Sequence, residues 1–272
     1  MHLLKMKNKL VYLILIQIIG LHANSQVLNV DRENGQDSIS KKIQFSWTSG
    51  ISMDKQKNNI VEIESAEELD IFLPKNKLII LLGNTAFQTN GNSLIENNGY
   101  YMFRLRDNDS QRISPDYFAQ YQWNGILGMQ NRALAGVNAR FKFWEQKKSD
   151  LYISSGLFYE YEKWNPKISN FGFDSTVNAV TRNLIRWNNS LKMALKMGDN
   201  VDFVTSNFIQ FPLNAGFSNL FNPRWFMNSS LFFKINKHLN FIINYEHNLD
   251  FYRALPIDSY YYSLNFQVQL NY

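Results

Sequence analysis

Apolar and polar residues alternate strictly over the last stretch of the sequence. Tyr260, Tyr262, Leu264, Phe266, Val268, Leu270 and Tyr272 are apolar or aromatic, and Ser263, Asn265, Gln267, Gln269 and Asn271 between them are polar. A period of two puts one set on each face of an extended strand. The pattern recurs in Ile43–Met53, Val61–Leu73, Lys77–Phe87, Tyr100–Arg106, Tyr117–Met129, Ala133–Phe143, Leu151–Tyr161, Ile185–Met197, Val201–Phe211, Trp225–Ile235 and Leu239–Phe251. Twelve such stretches, with no helical periodicity beyond the N-terminal segment, restrict the chain to an all-β fold. Leu78 to Leu82 is apolar on both faces, so the facing of residues 77–87 stays open.

The N-terminus reads differently. Lys5, Lys7 and Lys9 precede an apolar run from Leu10 to Leu21, and Ala23-Asn24-Ser25 supplies small residues for cleavage. This is the layout of a secretory signal peptide. A dozen apolar residues fall short of the ~20 that a membrane helix needs. The expected organisation is a signal peptide over residues 1–25, a short periplasmic segment over 26–40, and a β-domain over 41–272. Cleavage would remove three lysines and no acid, taking the net charge from +5 to +2. A nucleic-acid partner is therefore not expected. An exported chain with no cysteine also forgoes disulfides.

Mean hydropathy is −0.32, which suggests a soluble protein, yet 15% of residues are aromatic. A single antiparallel up-and-down transmembrane β-barrel of about twelve strands reconciles the two, because only alternate residues meet lipid and aromatic girdles mark both interfaces. With the N-terminus in the periplasm, the inner links fall at 74–76, 107–113, 145–150, 198–200 and 236–238 and are short. The outer links 88–99, 162–182 and 212–224 are long, which is the outer-membrane pattern. The link 130–132 is the exception, short where a long loop is expected. A secreted β-sandwich is the competing fold.

The ending resembles that of outer-membrane barrels, which commonly finish on an aromatic residue preceded by apolar residues at every second place. Leu264, Phe266, Val268, Leu270 and Tyr272 match, and the resemblance implies recognition by the barrel-assembly machinery. Leu81-Leu82-Gly83-Asn84, Asn97-Asn98-Gly99-Tyr100, Arg132-Ala133-Leu134-Ala135-Gly136, and Leu151-Tyr152-Ile153 with Tyr159-Glu160-Tyr161-Glu162 carry a wider likeness. On these the chain, over roughly residues 40–272, resembles the Domain of Unknown Function 481 family, salt-induced-type outer-membrane proteins of Gram-negative bacteria. The resemblance implies a barrel in the cell outer membrane, with membrane lipid around it, and supplies no activity.

Enzymatic chemistry finds no footing. A barrel phospholipase would need a His-x-Ser pair, but His238 precedes Leu239-Asn240 and His247 precedes Asn248-Leu249. His247 is expected on the lipid face, as a girdle residue. Glu62, Glu64, Glu68 and Asp70 form an acidic column, but ligands ~6.5–7 Å apart along one strand do not converge on one metal ion. No cofactor and no enzyme activity are expected.

What remains is a charged interior of mixed sign. Parity turns Arg104, Arg106, Arg140, Lys142, Arg186, Lys192, Lys196 and Lys234 inward, with Glu62, Glu64, Glu68, Asp70, Glu160, Asp202, Glu246 and Asp250 to meet them. Charges avoid the outer face because one at the bilayer midplane costs ~2–4 kcal/mol there. Lys196 is expected to pair with Asp202 across the 198–200 turn. Phe118, Phe158 and Phe208 also turn inward, and the segment 162–182 with Trp164, Phe171 and Phe173 should fold inward or over the mouth. The expected role is structural or envelope-adaptive, with the lumen largely filled by side chains. The alternative is a narrow channel or transporter for small polar solutes.

Overall fold

In the computed structural model of the protein, the described residues are 42–55, 59–74, 77–91, 93–107, 112–146, 149–168, 178–216, 219–236, 239–255 and 259–270. The expected signal peptide, the segment 26–40, Phe171, Phe173, His238 and Tyr272 lie outside them. The described residues form twelve strands. They are β1 (Ile43–Lys55), β2 (Asn59–Leu73), β3 (Lys77–Asn90), β4 (Ser93–Asp107), β5 (Ile113–Asn124) and β6 (Met129–Gln146). The second half comprises β7 (Ser149–Trp164), β8 (Val180–Lys196), β9 (Val201–Pro212), β10 (Arg224–Asn236), β11 (Leu239–Asp250) and β12 (Tyr260–Leu270). Each pairs antiparallel with the next, in the order β1 to β12. This is the all-β, up-and-down architecture that the alternation requires.

Burial along the strands shows which face is inside. In β5, Ser114, Asp116, Phe118, Gln120, Gln122 and Asn124 are buried, whereas Ile113, Tyr117 and Tyr121 between them are exposed. A water-soluble sandwich would bury the apolar set and expose the polar one. Here the order is inverted, as in a barrel with an apolar exterior and a polar interior. The sheet must also be strongly curled. Arg224 of β10 bonds Glu160 of β7 at 3.0 Å. In a flat sheet those strands would stand roughly 14 Å apart, three interstrand spacings, beyond the reach of the two side chains. Among the described residues no ladder joins β1 to β12.

Outside, Leu81, Val137, Leu157, Ile185, Leu191, Ile209 and Leu264 expose aliphatic surface. Towards the outer ends stand Tyr101, Tyr121, Trp123, Tyr159 and Trp187, with Tyr101–Trp123 and Tyr121–Trp123 ring centroids 5.9 and 6.1 Å apart. His247 packs at 4.5 Å from Trp225 and 5.0 Å from Tyr260, among the outer-face aromatics where parity puts it. Tyr260, Tyr262, Leu264 and Phe266 of the terminal strand are exposed on the same face. Val268 and Leu270 continue the ladder opposite Phe241 and Leu239. The ambiguous β3 run resolves with Leu78 and Ile80 buried and Leu81 exposed.

Several boundaries differ from the sequence-based ones, some at β-bulges and others because the strands run on in unbroken register. The expected link 130–132 is instead a turn at 125–128, with Gly128 at φ 80°. Met129 to Arg132 already belongs to β6, where a bulge between Met129 and Asn131 shifts the register. An extra residue there buries both Met129 and Arg132 and so breaks the simple parity. The expected outer loop 88–99 is a tight hairpin around Gly91, whose φ is 60°. A register shift at Gln88/Thr89 interrupts the alternation there. The expected loop 162–182 likewise contributes Glu162–Trp164 to β7 and Val180–Arg182 to β8. β11 ends at Asp250, one residue short of the expected Phe251.

Two glycines let the interior close up. Gly136 of β6 lies opposite Phe158, and a Cβ there would collide with Leu157 O and Phe158 Cβ. Gly156 of β7 lies between Asn138 and Asn188 on the flanking strands. A Cβ there would strike Val137 O and Asn138 Oδ1. Because the position is empty, Asn188 donates across it to Asn138 Oδ1 at 3.2 Å.

Candidate functional site

The lumen is filled in layers, because inward residues at equal height on successive strands converge when the sheet curls. Across the middle lies an apolar layer of Tyr100, Met102, Phe118, Leu134, Phe158, Phe208 and Phe226, drawn from β4 to β10. Phe118 and Phe158 meet edge to face with ring centroids 6.1 Å apart, and Phe208 and Phe226 lie tilted at 6.2 Å. The inward phenylalanines predicted from parity, Phe118, Phe158 and Phe208, are all buried here.

On the outer-loop side of that layer sits a network of arginines and carboxylates. Glu160 receives Arg132, Arg186 Nε and Arg224 Nη1, the last at 3.0 Å. Glu162 receives Arg182, Arg224 Nη2 at 3.1 Å and Arg132 Nε at 3.5 Å. Arg224 Nε also reaches Asp250 at 2.9 Å. Trp164 Nε1 donates to Glu162 at 3.1 Å, and Arg182 Nη1 donates to the Tyr252 carbonyl at 3.0 Å. Glu160, Glu162 and Arg186 have no solvent exposure. Three guanidiniums on one carboxylate tolerate such burial because each charge is met at short range, whereas an isolated charge would not. Above the network, Met129, Trp164 and Leu255 form a small apolar cap.

The inner half carries separate pairs rather than a shared network. Arg104 grips Asp116 by two nitrogens, Nε at 2.8 Å and Nη2 at 2.7 Å. The Arg140 guanidinium stacks 3.8 Å from the Tyr152 ring centroid. Glu246 accepts from Asn228 at 3.0 Å. Among the described residues no group of three or more acids and histidines is arranged to hold a metal ion.

The predicted interior charges divide accordingly. Arg104, Arg106, Arg140, Glu160 and Arg186 are buried; Glu62, Glu64, Lys142, Lys192 and Asp202 are half-buried along the wall; Lys196 is exposed at the inner rim. The structure brings Glu160 and Arg186 together. The expected Lys196–Asp202 register is present, but the ion pair of Asp202 is with Lys234, at 2.6 Å. Lys234 sits on the neighbouring strand β10, diagonal to Asp202 in the β9–β10 ladder, where Phe232 is the direct partner of Asp202. Reversing Lys234 alone to Glu should cost about 0.5–1 kcal/mol, and adding Asp202→Lys should recover most of it, as read by urea unfolding in micelles. The modest size reflects solvent screening, since the Lys234 side chain is 40% exposed.

Sequence reasoning missed the residues that complete the network. Arg132, Glu162, Arg182 and Arg224 all fell in stretches read as links, and Asp116, the partner of Arg104, fell between a link and the next strand. The signal was present: Glu160–Glu162, Arg182–Leu184–Arg186 and Arg224–Phe226 continue the inward parity beyond the assumed strand ends. Bulges hid the same continuation at Arg132.

Comparison with known proteins bears on the family. The sequence profile of the family described as "Protein of unknown function, DUF481" matches residues 84–265. No curated protein matches the chain. Among solved structures, the translocator domain of autotransporter NalP from Neisseria meningitidis is similar over 85% of this chain and 87% of that one, at 12% identity and a TM-score of 0.42.

Proposed function

The chain belongs to the DUF481 family of proteins of unknown function, and on that premise we propose that it is an outer-membrane β-barrel whose side chains close its own lumen. Its role in this reading is structural or envelope-adaptive. Export would use the N-terminal segment, and assembly the aromatic-ended last strand, with membrane lipid against the apolar belt. No catalytic step is part of the proposal.

One observation carries it. Twelve strands enclose more width than the eight-stranded barrels whose interiors just fill, yet here Arg132, Glu160, Glu162, Arg186 and Arg224 are at most 4% exposed. That layer lies directly on the aromatic layer of Phe118, Phe158, Phe208 and Phe226. An ion crossing the lumen would have to displace both, breaking several charge-assisted hydrogen bonds at once. The purified barrel in planar bilayers should therefore pass little or no steady current. A large, stable single-channel conductance would replace this reading with the narrow-channel alternative.

A further inference from the structure

One acid stands on the lipid side of the wall. Among the described residues, the ladders turn Lys77, Asp107 and Lys163 outward only at strand ends. Glu67 faces outward near the middle of β2, in line with the exposed Leu81 and Ile63 set. Trp47 lies opposite it on β1 and Gly83 on β3, with Tyr101 of the outer aromatic row beyond Gly83. An ionisable side chain facing hydrocarbon is costly and marks a functional position. The local wall is shaped around this one. Trp47 Nε1 donates to Ser65 Oγ at 3.1 Å, and the Ser65 hydroxyl donates to Glu67 Oε1. The carboxylate leans over Gly83, where an added Cβ would lie 2.5 Å from Oε2 and 3.2 Å from the Tyr101 ring. Among the described residues Ser65 alone hydrogen-bonds this carboxylate, and Oε2 is accessible. Trp47 and Tyr101 stand 62% and 53% exposed on either side.

We propose that this notch is a lipid-headgroup site, which takes the primary ammonium of an ethanolamine phospholipid against Glu67 and Ser65. A primary ammonium can donate to both Oε2 and Ser65 Oγ, and its charge is attracted to the flanking aromatic rings. Interface aromatics sit at headgroup level, which brings such a group within reach. The projecting rings keep a flat protein surface off the carboxylate. A second copy of the chain also offers no cation here, because the ladders place no Lys or Arg mid-strand on the outward face among the described residues. The inference rests on the outward face meeting lipid, and not on the arginine–carboxylate plug of the lumen. Bilayer conductance therefore leaves it standing, whereas a chain that stays in solution without detergent would remove its premise.

The test is native mass spectrometry of the full barrel, released from micelles doped with one phospholipid at a time. Phosphatidylethanolamine, phosphatidylcholine and phosphatidylglycerol with identical acyl chains are compared. Wild type should retain one phosphatidylethanolamine roughly 5- to 10-fold more often than either other lipid. Glu67→Gln keeps the size and the Ser65 hydrogen bond but removes the charge, so the preference should vanish. Trp47→Leu should weaken it roughly 2- to 5-fold. The heat-resistant compact band on unheated gels checks that each variant has folded. Equal retention of the three lipids by wild type overturns the proposal. So does equal retention of phosphatidylcholine, whose ammonium has no hydrogen to donate. A full preference in folded Glu67→Gln or Trp47→Leu overturns it as well. A wild-type dimer that becomes a monomer with Glu67→Gln, with no lipid preference, would assign the notch to a second copy instead.

Discussion

Glu160→Gln should be the most damaging single change in the interior, costing about 3–5 kcal/mol in urea unfolding of the micelle-bound barrel. The substitution is almost isosteric, so packing is preserved and the loss is electrostatic. Three guanidiniums, from Arg132, Arg186 and Arg224, converge on that carboxylate. With Gln in its place those guanidiniums are left buried around a neutral amide. Glu162→Gln should cost less than Glu160→Gln, because Arg182, one of its partners, keeps some solvent exposure. Equal stability of wild type and Glu160→Gln would mean that water penetrates the plug and screens it.

A second large effect is expected at Gly156. Gly156→Val should prevent correct assembly, leaving protein that lacks the heat-resistant compact band of a folded barrel on unheated gels. The new side chain would point inward between Asn138 and Asn188 and drive into the backbone oxygen of Val137. A backbone atom of a twelve-stranded ladder cannot move aside without disturbing its hydrogen bonds. Overpacking of this kind costs about 1–3 kcal/mol or more, and the Asn188–Asn138 hydrogen bond, about 1 kcal/mol, is lost as well. Gly198→Val is the control. It lies in an exposed turn with nothing within 4 Å of an added Cβ, so it should assemble normally.

These two sites differ in how far the sequence reveals them. Parity alone places Glu160 and Arg186 inside and marks Tyr260, Tyr262, Leu264 and Phe266 for the outer face, because a strand has only two faces and lipid tolerates only one kind of side chain. The same reasoning yields twelve strands, their antiparallel order and the inner turns, since each depends on neighbours in sequence. Gly156 has no such signature; its role lies in a gap between side chains of two other strands.

The alternation of the sequence thus determined by itself that this is an up-and-down sheet with a polar, charged inside and an aromatic, aliphatic outside. The tertiary structure decided which charges meet. Arg224 and Glu160 stand 64 residues apart on strands that share no ladder, and only the curl of the sheet brings them within 3.0 Å. Bulges, which insert a residue without changing composition, moved Arg132 from an apparent turn into the plug. Period-two patterning specifies a face, but contact across a lumen depends on curvature and on the relative heights of distant strands, which accumulate over every register along the sheet.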